Sequence, residues 1–223
     1  PDVLTEATAD MAWALLMAAA RRVCESEHWL RAGYWKRWAF DQFLGEDVHG
    51  ATLGILGMGR IGSAIARRAR GFSMKVLYSN RSPAANEAEL AATRGERDVL
   101  LRESDHLVIV VPYSAATHHL IGAAELATMK PTATLINIAR GGIVDDVALA
   151  AALKAGTIAA AGLDVYENEP ALAPELLTVP NVVLTPHLGS ATRTSRVGMA
   201  MLAARNLIAW ASGEPLPTPV PAN

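Results

Sequence analysis

The sequence predicts an α/β protein built on a doubly wound parallel sheet, and three observations predict it. Short β-branched or apolar runs alternate with helical stretches from Ala51 onward. A glycine-rich turn, Gly57 to Gly62, joins the first of these runs to a helix. Three chemically distinctive segments later in the chain each follow the end of a run. Strands alternating with helices imply parallel pairing through right-handed crossovers.

The elements follow in order. Leu4 to Arg22 contains no Gly or Pro and is rich in Ala, Leu and Met. It predicts a long, mostly buried helix, with Thr5 or Thr8 as cap and Arg21-Arg22 at the negative end of its dipole. A second, short helix runs to about Ala32, and an aromatic stretch from Gly33 through Trp35 and Trp38 to Phe40 leads on to Gly50. Strands are expected at Thr52–Leu56, Val76–Tyr78, Leu107–Val111, Thr134–Ile138, Ala160–Val165 and Val182–Thr185. Helices are expected at Arg60–Arg70, Glu87–Ala92, Ala123–Met129, Asp145–Ala155 and about Ala191–Ser212. The proline-rich stretch Pro215 to Pro221 cannot continue the last helix.

Composition narrows the class. The 223 residues are 51% apolar, enough for one sizeable core, and the net charge of -2 favours neither nucleic acid nor an anionic membrane. The longest apolar run, Met11 to Ala20, is far short of the roughly 20 residues of a membrane span. Cys24 stands alone and cannot form an intrachain disulfide, which fits a reducing cytoplasm. No His/Cys spacing suggests a metal, and His28, His49, His106 and His118 are read as surface or turn residues.

The glycine turn carries the sharpest signal. In Gly57-Met58-Gly59-Arg60-Ile61-Gly62, Gly57 permits the tight turn, Gly59 lets backbone approach a pyrophosphate, and Gly62 lets the helix pack on the strand. This is the signature of a Rossmann-type dinucleotide site. An NAD enzyme usually carries Asp or Glu at the end of the second strand, but here the chain reads Ser79-Asn80-Arg81-Ser82. A carboxylate would repel a ribose 2′-phosphate, whereas Ser, Asn and Arg can donate to it. NADP(H) is therefore favoured, with NAD(H) possible.

The three later segments are Asn137-Ile138-Ala139-Arg140-Gly141-Gly142, then Gly162 to Pro170 with Asp164 and Glu169, then Thr185-Pro186-His187-Leu188-Gly189-Ser190. Each lies at or just after a strand's carboxyl end, where open α/β sheets bind ligands. Taken singly they are bland: a helix-end cation, a surface acid, a capping histidine.

In order and local sequence these segments resemble the D-2-hydroxyacid dehydrogenases. The opening Pro1 to Glu6, the Trp35/Trp38 stretch and the Ser-Asn-Arg strand end resemble glyoxylate/hydroxypyruvate reductases in particular. The resemblance implies that Arg140 holds the substrate carboxylate and keto oxygen. It implies that His187 protonates that oxygen as hydride arrives, and that Glu169 fixes the imidazole tautomer and favours the imidazolium. Asp164 would orient the nicotinamide amide. Val111, Pro112, Thr117, Ile138, Ala139, Gly189 and Ser190 would complete the cofactor side, with Thr117 and His119 in a recurring pattern read as structural. Trp38 is read as a substrate residue, reaching a neighbouring subunit's pocket in a homodimer; the plain alternative is a buried anchor for its loop.

The resemblance also divides the chain into interdomain and dimerisation helices at 1–32, a dinucleotide-binding domain at 33–190, and a returning C-terminal helix and tail at 191–223. Most of the N-terminal substrate domain would then be absent from this sequence, so that the chain binds cofactor yet turns over poorly or not at all. The leading expectation is an NADPH-dependent reductase of a small 2-keto acid. Alternatives are a D-lactate, phosphoglycerate or phosphite dehydrogenase, a dinucleotide-sensing co-repressor that binds peptides, and an inactive cofactor domain.

Overall fold

The computed structural model describes residues 2–219. Pro1 of the opening segment and Pro221 of the proline-rich tail lie outside the described residues. The chain opens with helices α1 (Thr5–Ala20) and α2 (Val23–Arg31), then forms β1 (Thr52–Leu56), α3 (Arg60–Ala69), β2 (Lys75–Ser79), β3 (Ala92–Arg94) and α4 (Arg97–Glu103). It continues with β4 (His106–Ile109), α5 (Ala123–Thr128), β5 (Thr134–Asn137), α6 (Asp146–Ala155), β6 (Ala160–Leu163), β7 (Val182–Leu184) and α7 (Arg193–Ala211). The seven strands form one sheet in the order β3-β2-β1-β4-β5-β6-β7, every pair parallel.

The six expected strands are present, and the sheet has a seventh. A helix expected at Glu87–Ala92 does not form. The segment instead turns through Ala91, in the left-handed region at φ 50°, and enters β3. The reason is tertiary. Leu90 is fully buried and Tyr78 donates its hydroxyl to Glu87, so packing overrides the helix propensity of Glu and Ala. Helix α4, not expected, hides Leu100 and Leu101 beneath the sheet. The last helix starts two residues later than expected, where the Thr192 hydroxyl accepts from the Ser195 amide at 3.1 Å. Neither Thr5 nor Thr8 caps α1: Leu4 holds the cap position, and Thr8 is buried.

Two apolar layers sandwich the sheet. On one face α1 and α3 cover Leu53, Ile55, Val108 and Ile136; on the other, α4, α5 and α6 cover Leu107, Ile109 and Leu135. Helix α1, expected to serve as an interdomain element, lies along this sheet. Leu15 and Leu16 are 1% exposed, the Trp13 indole donates to the Ile65 carbonyl at 3.2 Å, and its ring stacks on Phe72 at 4.7 Å. Burying each such leucine stabilises the fold by about 1.5–3 kcal/mol. Gly162 is what lets α1 settle there, since a Cβ on it would meet the Leu15 Cβ at 3.0 Å. Among the described residues, no helix is long and apolar enough to cross a membrane.

Chain order reverses between β1 and β4, so a crevice opens beyond their carboxyl ends. His106, read from sequence as a surface or turn residue, is instead fully buried on β4 near the opposite end. Its Nε2 meets the Asp47 carbonyl at 3.1 Å, and burial holds its imidazole below the usual histidine range.

Candidate active site

The crevice is a cleft of about 740 Å³ bounded by the ends of β4, β5 and β6 together with Ile61 and His187. Its cofactor end begins at the β1–α3 turn. Gly57 adopts φ 107°, and a side chain there would press on the Val110 carbonyl carbon and the Val111 amide, each at 2.9 Å. Gly62 lies against the Gly57 carbonyl, with no room for a Cβ. Gly59 differs: a Cβ there meets nothing within 4 Å, so its smallness serves no internal packing and leaves open the space before the N-terminus of α3. Exposed amides beside that space fit a pyrophosphate, and the turn suits a dinucleotide. Met58 is buried, whereas the Arg60 side chain extends to an exposed ion pair with Asp2.

At the end of β2 the Ser79 carbonyl accepts from the Gly57 amide at 3.1 Å. Asn80, expected to face the ribose phosphate, is committed elsewhere. Its Oδ1 accepts from the Met58 amide at 2.7 Å and its Nδ2 donates to the Met58 carbonyl at 3.3 Å. The side chain thus locks the glycine turn to the second strand. Arg81 and Ser82 remain exposed beyond it.

The other end of the cleft is assembled from three loops. After β5, the Asn137 amide group folds back on its own loop: Oδ1 accepts from Ala139 N at 3.1 Å, and Nδ2 donates to Arg140 O at 3.2 Å. This presents exposed Arg140 to the cleft, one guanidinium N–H resting on the Ala139 carbonyl at 2.6 Å. After β6, Glu169 Oε1 accepts from the Tyr166 amide at 2.9 Å, which leaves Oε2 to meet His187 Nδ1 at 2.8 Å. His187 itself sits at φ 54°, a left-handed conformation held by its amide donating to the Asp164 and Thr185 carbonyls, each at 3.0 Å. Arg140, Glu169 and His187 all line the cleft.

Asp164, expected to orient the nicotinamide, is 1% exposed and holds the histidine loop from beneath. Its Oδ1 accepts from the Leu188 amide at 2.6 Å and the Thr185 hydroxyl at 2.7 Å, and its Oδ2 from the Gly189 amide at 2.7 Å. Val111, Pro112, Ile138 and Ala139 line the cleft, whereas Gly189 and Ser190 are not among its lining residues. Thr117 is a loop brace: its hydroxyl donates to the Pro112 carbonyl at 2.9 Å and accepts from the Ser114 amide at 2.7 Å. Trp38 is 72% exposed, which removes the buried-anchor alternative, and it lines an aromatic groove with Trp29, Trp35 and Phe43 rather than this cleft.

Sequence reasoning missed the support behind the loops that carry Arg140, Glu169 and His187. Tyr166 is buried, and its hydroxyl lies 3.0 and 2.9 Å from the Leu163 and Thr185 carbonyls, between which its single proton is shared, joining the ends of β6 and β7; burial pushes its phenol well above the usual range. Glu167 lies between two partners. Its amide donates to buried Asp146 at 3.0 Å, and its carboxylate meets His119 Nε2 at 3.0 Å. Burial, then repulsion from Glu167 and Asp145, raises the Asp146 carboxyl to about 6, while the bond to Glu167 raises His119. His118, His119 and Glu167 have donor atoms within 4.8 Å of one another, a set that sequence spacing did not suggest. The two rings stack at 3.9 Å, and their nitrogens face Tyr113, Glu167 and Asp145, so the group is held by contacts within the chain. Its only sequence signal is the pair of adjacent histidines.

A glycine turn at the switch point, with an arginine and a carboxylate–histidine pair across one cleft, is an arrangement suited to hydride transfer between a dinucleotide and a hydroxyl or keto group. The model for the D-isomer specific 2-hydroxyacid dehydrogenase NAD-binding domain matches residues 13–189. A glyoxylate reductase from Thermococcus onnurineus is 55% identical over 98% of this chain and 67% of its own length. A glyoxylate/hydroxypyruvate reductase B from Pectobacterium atrosepticum is 53% identical over 96% of this chain and 68% of its own. Among solved structures, an NADPH-dependent glyoxylate/hydroxypyruvate reductase from Sinorhizobium meliloti, bound to NADP and malonate, superposes with a TM-score of 0.90 at 42% identity, covering 99% of this chain and 68% of that one. The chain belongs to the D-isomer-specific 2-hydroxyacid dehydrogenase family, and it spans about two thirds of the length of these relatives.

Proposed function

We propose that the chain is the cofactor-binding and catalytic part of a reductase that converts a small 2-keto acid, of the glyoxylate or hydroxypyruvate type, to its D-2-hydroxy acid using NADPH. The observation that carries this is the convergence of Arg140, Glu169 and His187 on one cleft beside the glycine turn. The similarity to reductases of those two keto acids supports the substrate class.

The Gly57–Gly62 turn, Ser79, Arg81, Val111 and Ile138 would hold the dinucleotide, which when bound supplies the hydride. Arg140 offers a planar fork of N–H donors that binds a carboxylate and polarises the adjacent keto oxygen. Glu169 is an acceptor when ionised, so the 2.8 Å contact puts a proton on His187 Nδ1 and leaves Nε2 as the atom that delivers a proton to the oxygen. In the reverse direction Nε2 takes that proton back. Preference for NADPH is supported by the absence of a carboxylate at the end of β2, by exposed Arg81, and by the NADP-bound relative.

In the same reading, residues 1–32 serve as interdomain and dimer helices, 33–190 as the dinucleotide-binding domain, and residues from 191 onward return toward a substrate domain. Exposed Tyr34, Trp35, Trp38 and Phe40 suit a homodimer seam, and the lone Cys24 suits the cytoplasm. The test is a fluorescence titration with NADPH and NADH, followed by addition of glyoxylate or hydroxypyruvate while the absorbance of the reduced nicotinamide is followed. Tighter NADPH binding with oxidation on adding keto acid is the expected result. Tighter binding of NADH, or turnover that survives loss of His187, would overturn the proposal.

A further inference from the structure

The edge strand β3 places an arginine, Arg94, beside the carboxyl end of β2. Its parallel register sets Arg94 opposite Tyr78, one residue before Ser79 at the carboxyl end of β2. From there the guanidinium reaches over the loop that follows: Nε donates to the Asn80 carbonyl at 3.3 Å, and Nη2 to the Asn80 and Arg81 carbonyls at 3.0 and 3.1 Å. Its hydrogen-bond partners among the described residues are these two carbonyls, which neutralise none of its charge and leave Nη1 unspent. Arg81, whose carbonyl takes one of these bonds, is exposed in the same turn. Glu87 is engaged by the Tyr78 hydroxyl. Asn80 is spent on Met58, so the donors that remain at the strand end are the Ser79 and Ser82 hydroxyls and two arginines.

We propose that Arg94 is a specificity-determining residue, which with Arg81 forms a two-arginine acceptor for a phosphate monoester on the adenosine ribose. This rests on the reading that the chain takes a 2′-phosphorylated dinucleotide. The competing role is a plain strap that holds the Asn80–Arg81 peptide. Asn80 ties that loop to the glycine turn, on which the pyrophosphate of either dinucleotide depends, so a strap serves NADH and NADPH equally. A phosphate acceptor serves only one of them.

Binding separates the two roles without any turnover. NADPH and NADH are titrated by fluorescence into the wild-type chain, Arg94→Gln and Arg94→Lys, with adenosine 2′,5′-bisphosphate and 5′-AMP as competitors that lack nicotinamide. Loss of charge-assisted bonds to phosphate is expected to weaken NADPH and the bisphosphate about tenfold or more in Arg94→Gln, with NADH and 5′-AMP changed less than about twofold. Arg94→Lys keeps the charge without the fork and should recover part of the loss. Equal weakening of both dinucleotides, or no change in either, overturns the proposal while a wild-type preference for NADPH leaves the cofactor reading standing. Wild-type preference for NADH overturns both. Should the glutamine variant melt lower than wild type, the lysine variant decides: a strap loses affinity for both dinucleotides alike, a phosphate acceptor only for NADPH.

Discussion

His187 Nδ1 and Glu169 Oε2 lie 2.8 Å apart, and the other oxygen of the same carboxylate accepts the Tyr166 amide at 2.9 Å. Glu169 therefore serves two donors at once, and only a carboxylate has two acceptor oxygens to do it. A glutamine in its place has one. Whichever donor loses, an amide N–H then faces an N–H, and the histidine is turned or forced into the tautomer with no proton on Nδ1. Glu169→Gln is expected to lower kcat for keto-acid reduction by about 10²–10⁴, the usual worth of a positioned acid–base group. NADPH affinity should stay within about twofold, since nothing at the glycine turn changes. Steady-state kinetics beside a fluorescence titration check it; an unchanged kcat would remove Glu169 from the catalytic set.

Arg140 is separable from that pair. It sits on the β5 loop, held by Asn137, and shares no hydrogen bond with Glu169 or His187. Arg140→Lys keeps the charge but loses the planar fork that could grip a carboxylate and a keto oxygen together. We expect kcat/KM for the keto acid to fall about 10²-fold, much of it in KM, with cofactor affinity preserved. A variant that lost NADPH affinity instead would place Arg140 on the cofactor side of the cleft.

A third expectation concerns pH. Burial raises the Asp146 carboxyl to about 6, above its ordinary value of 3.8. A raised carboxylate binds its proton more readily folded than unfolded, so its contribution is fully present below about 4 and is lost as pH climbs through about 6. Asparagine resembles the protonated acid and can still accept the Glu167 amide through its oxygen. Asp146→Asn should match wild type near pH 4 and exceed it by on the order of 2 kcal/mol at pH 7. His119, also raised, stands across Glu167 and loses its ion pair over a higher range, so the difference between the two proteins, not either melt alone, isolates Asp146. Parallel melting curves at both pH values would show that Asp146 ionises at no cost.

Much of this site was legible because its signals are local. The Gly57–Gly62 turn, Arg140, Glu169 and His187 each follow an apolar run that reads as a strand, and parallel pairing then gathers strand ends along one edge. What was not legible depends on contacts between distant positions. Asn80 looked like a phosphate ligand because it follows Ser79 at the strand end; only the fold shows its amide on Met58. The segment Ala92-Thr93-Arg94 carries too weak a β signal to be read as a strand, so the register that lifts Arg94 to the end of β2 was invisible. His106 has the same residue type as exposed His118, and burial alone separates them.

Gly141 offers the sharpest test of how the catalytic loops are held together. It follows Arg140, and a Cβ built on it would run into the Tyr166 carbonyl carbon and oxygen and stand 2.6 Å from the Glu167 amide. These are backbone atoms of the loop that presents Glu169, so they cannot swing aside as a side chain would. The β5 and β6 loops must separate to admit one methyl group. Gly141→Ala is therefore expected to cost about 1–3 kcal/mol or more of stability, as overpacking does, and to lower kcat/KM sharply because Arg140 and Glu169 lose their common frame. Gly71 supplies the control: a Cβ there meets nothing within 4 Å, and Gly71→Ala should stay within about 0.5 kcal/mol of wild type with full activity. Equal melting temperatures and equal kcat/KM for the two alanine variants would show that the loops can part freely, and that the alignment of Arg140 with the Glu169–His187 pair does not depend on their contact.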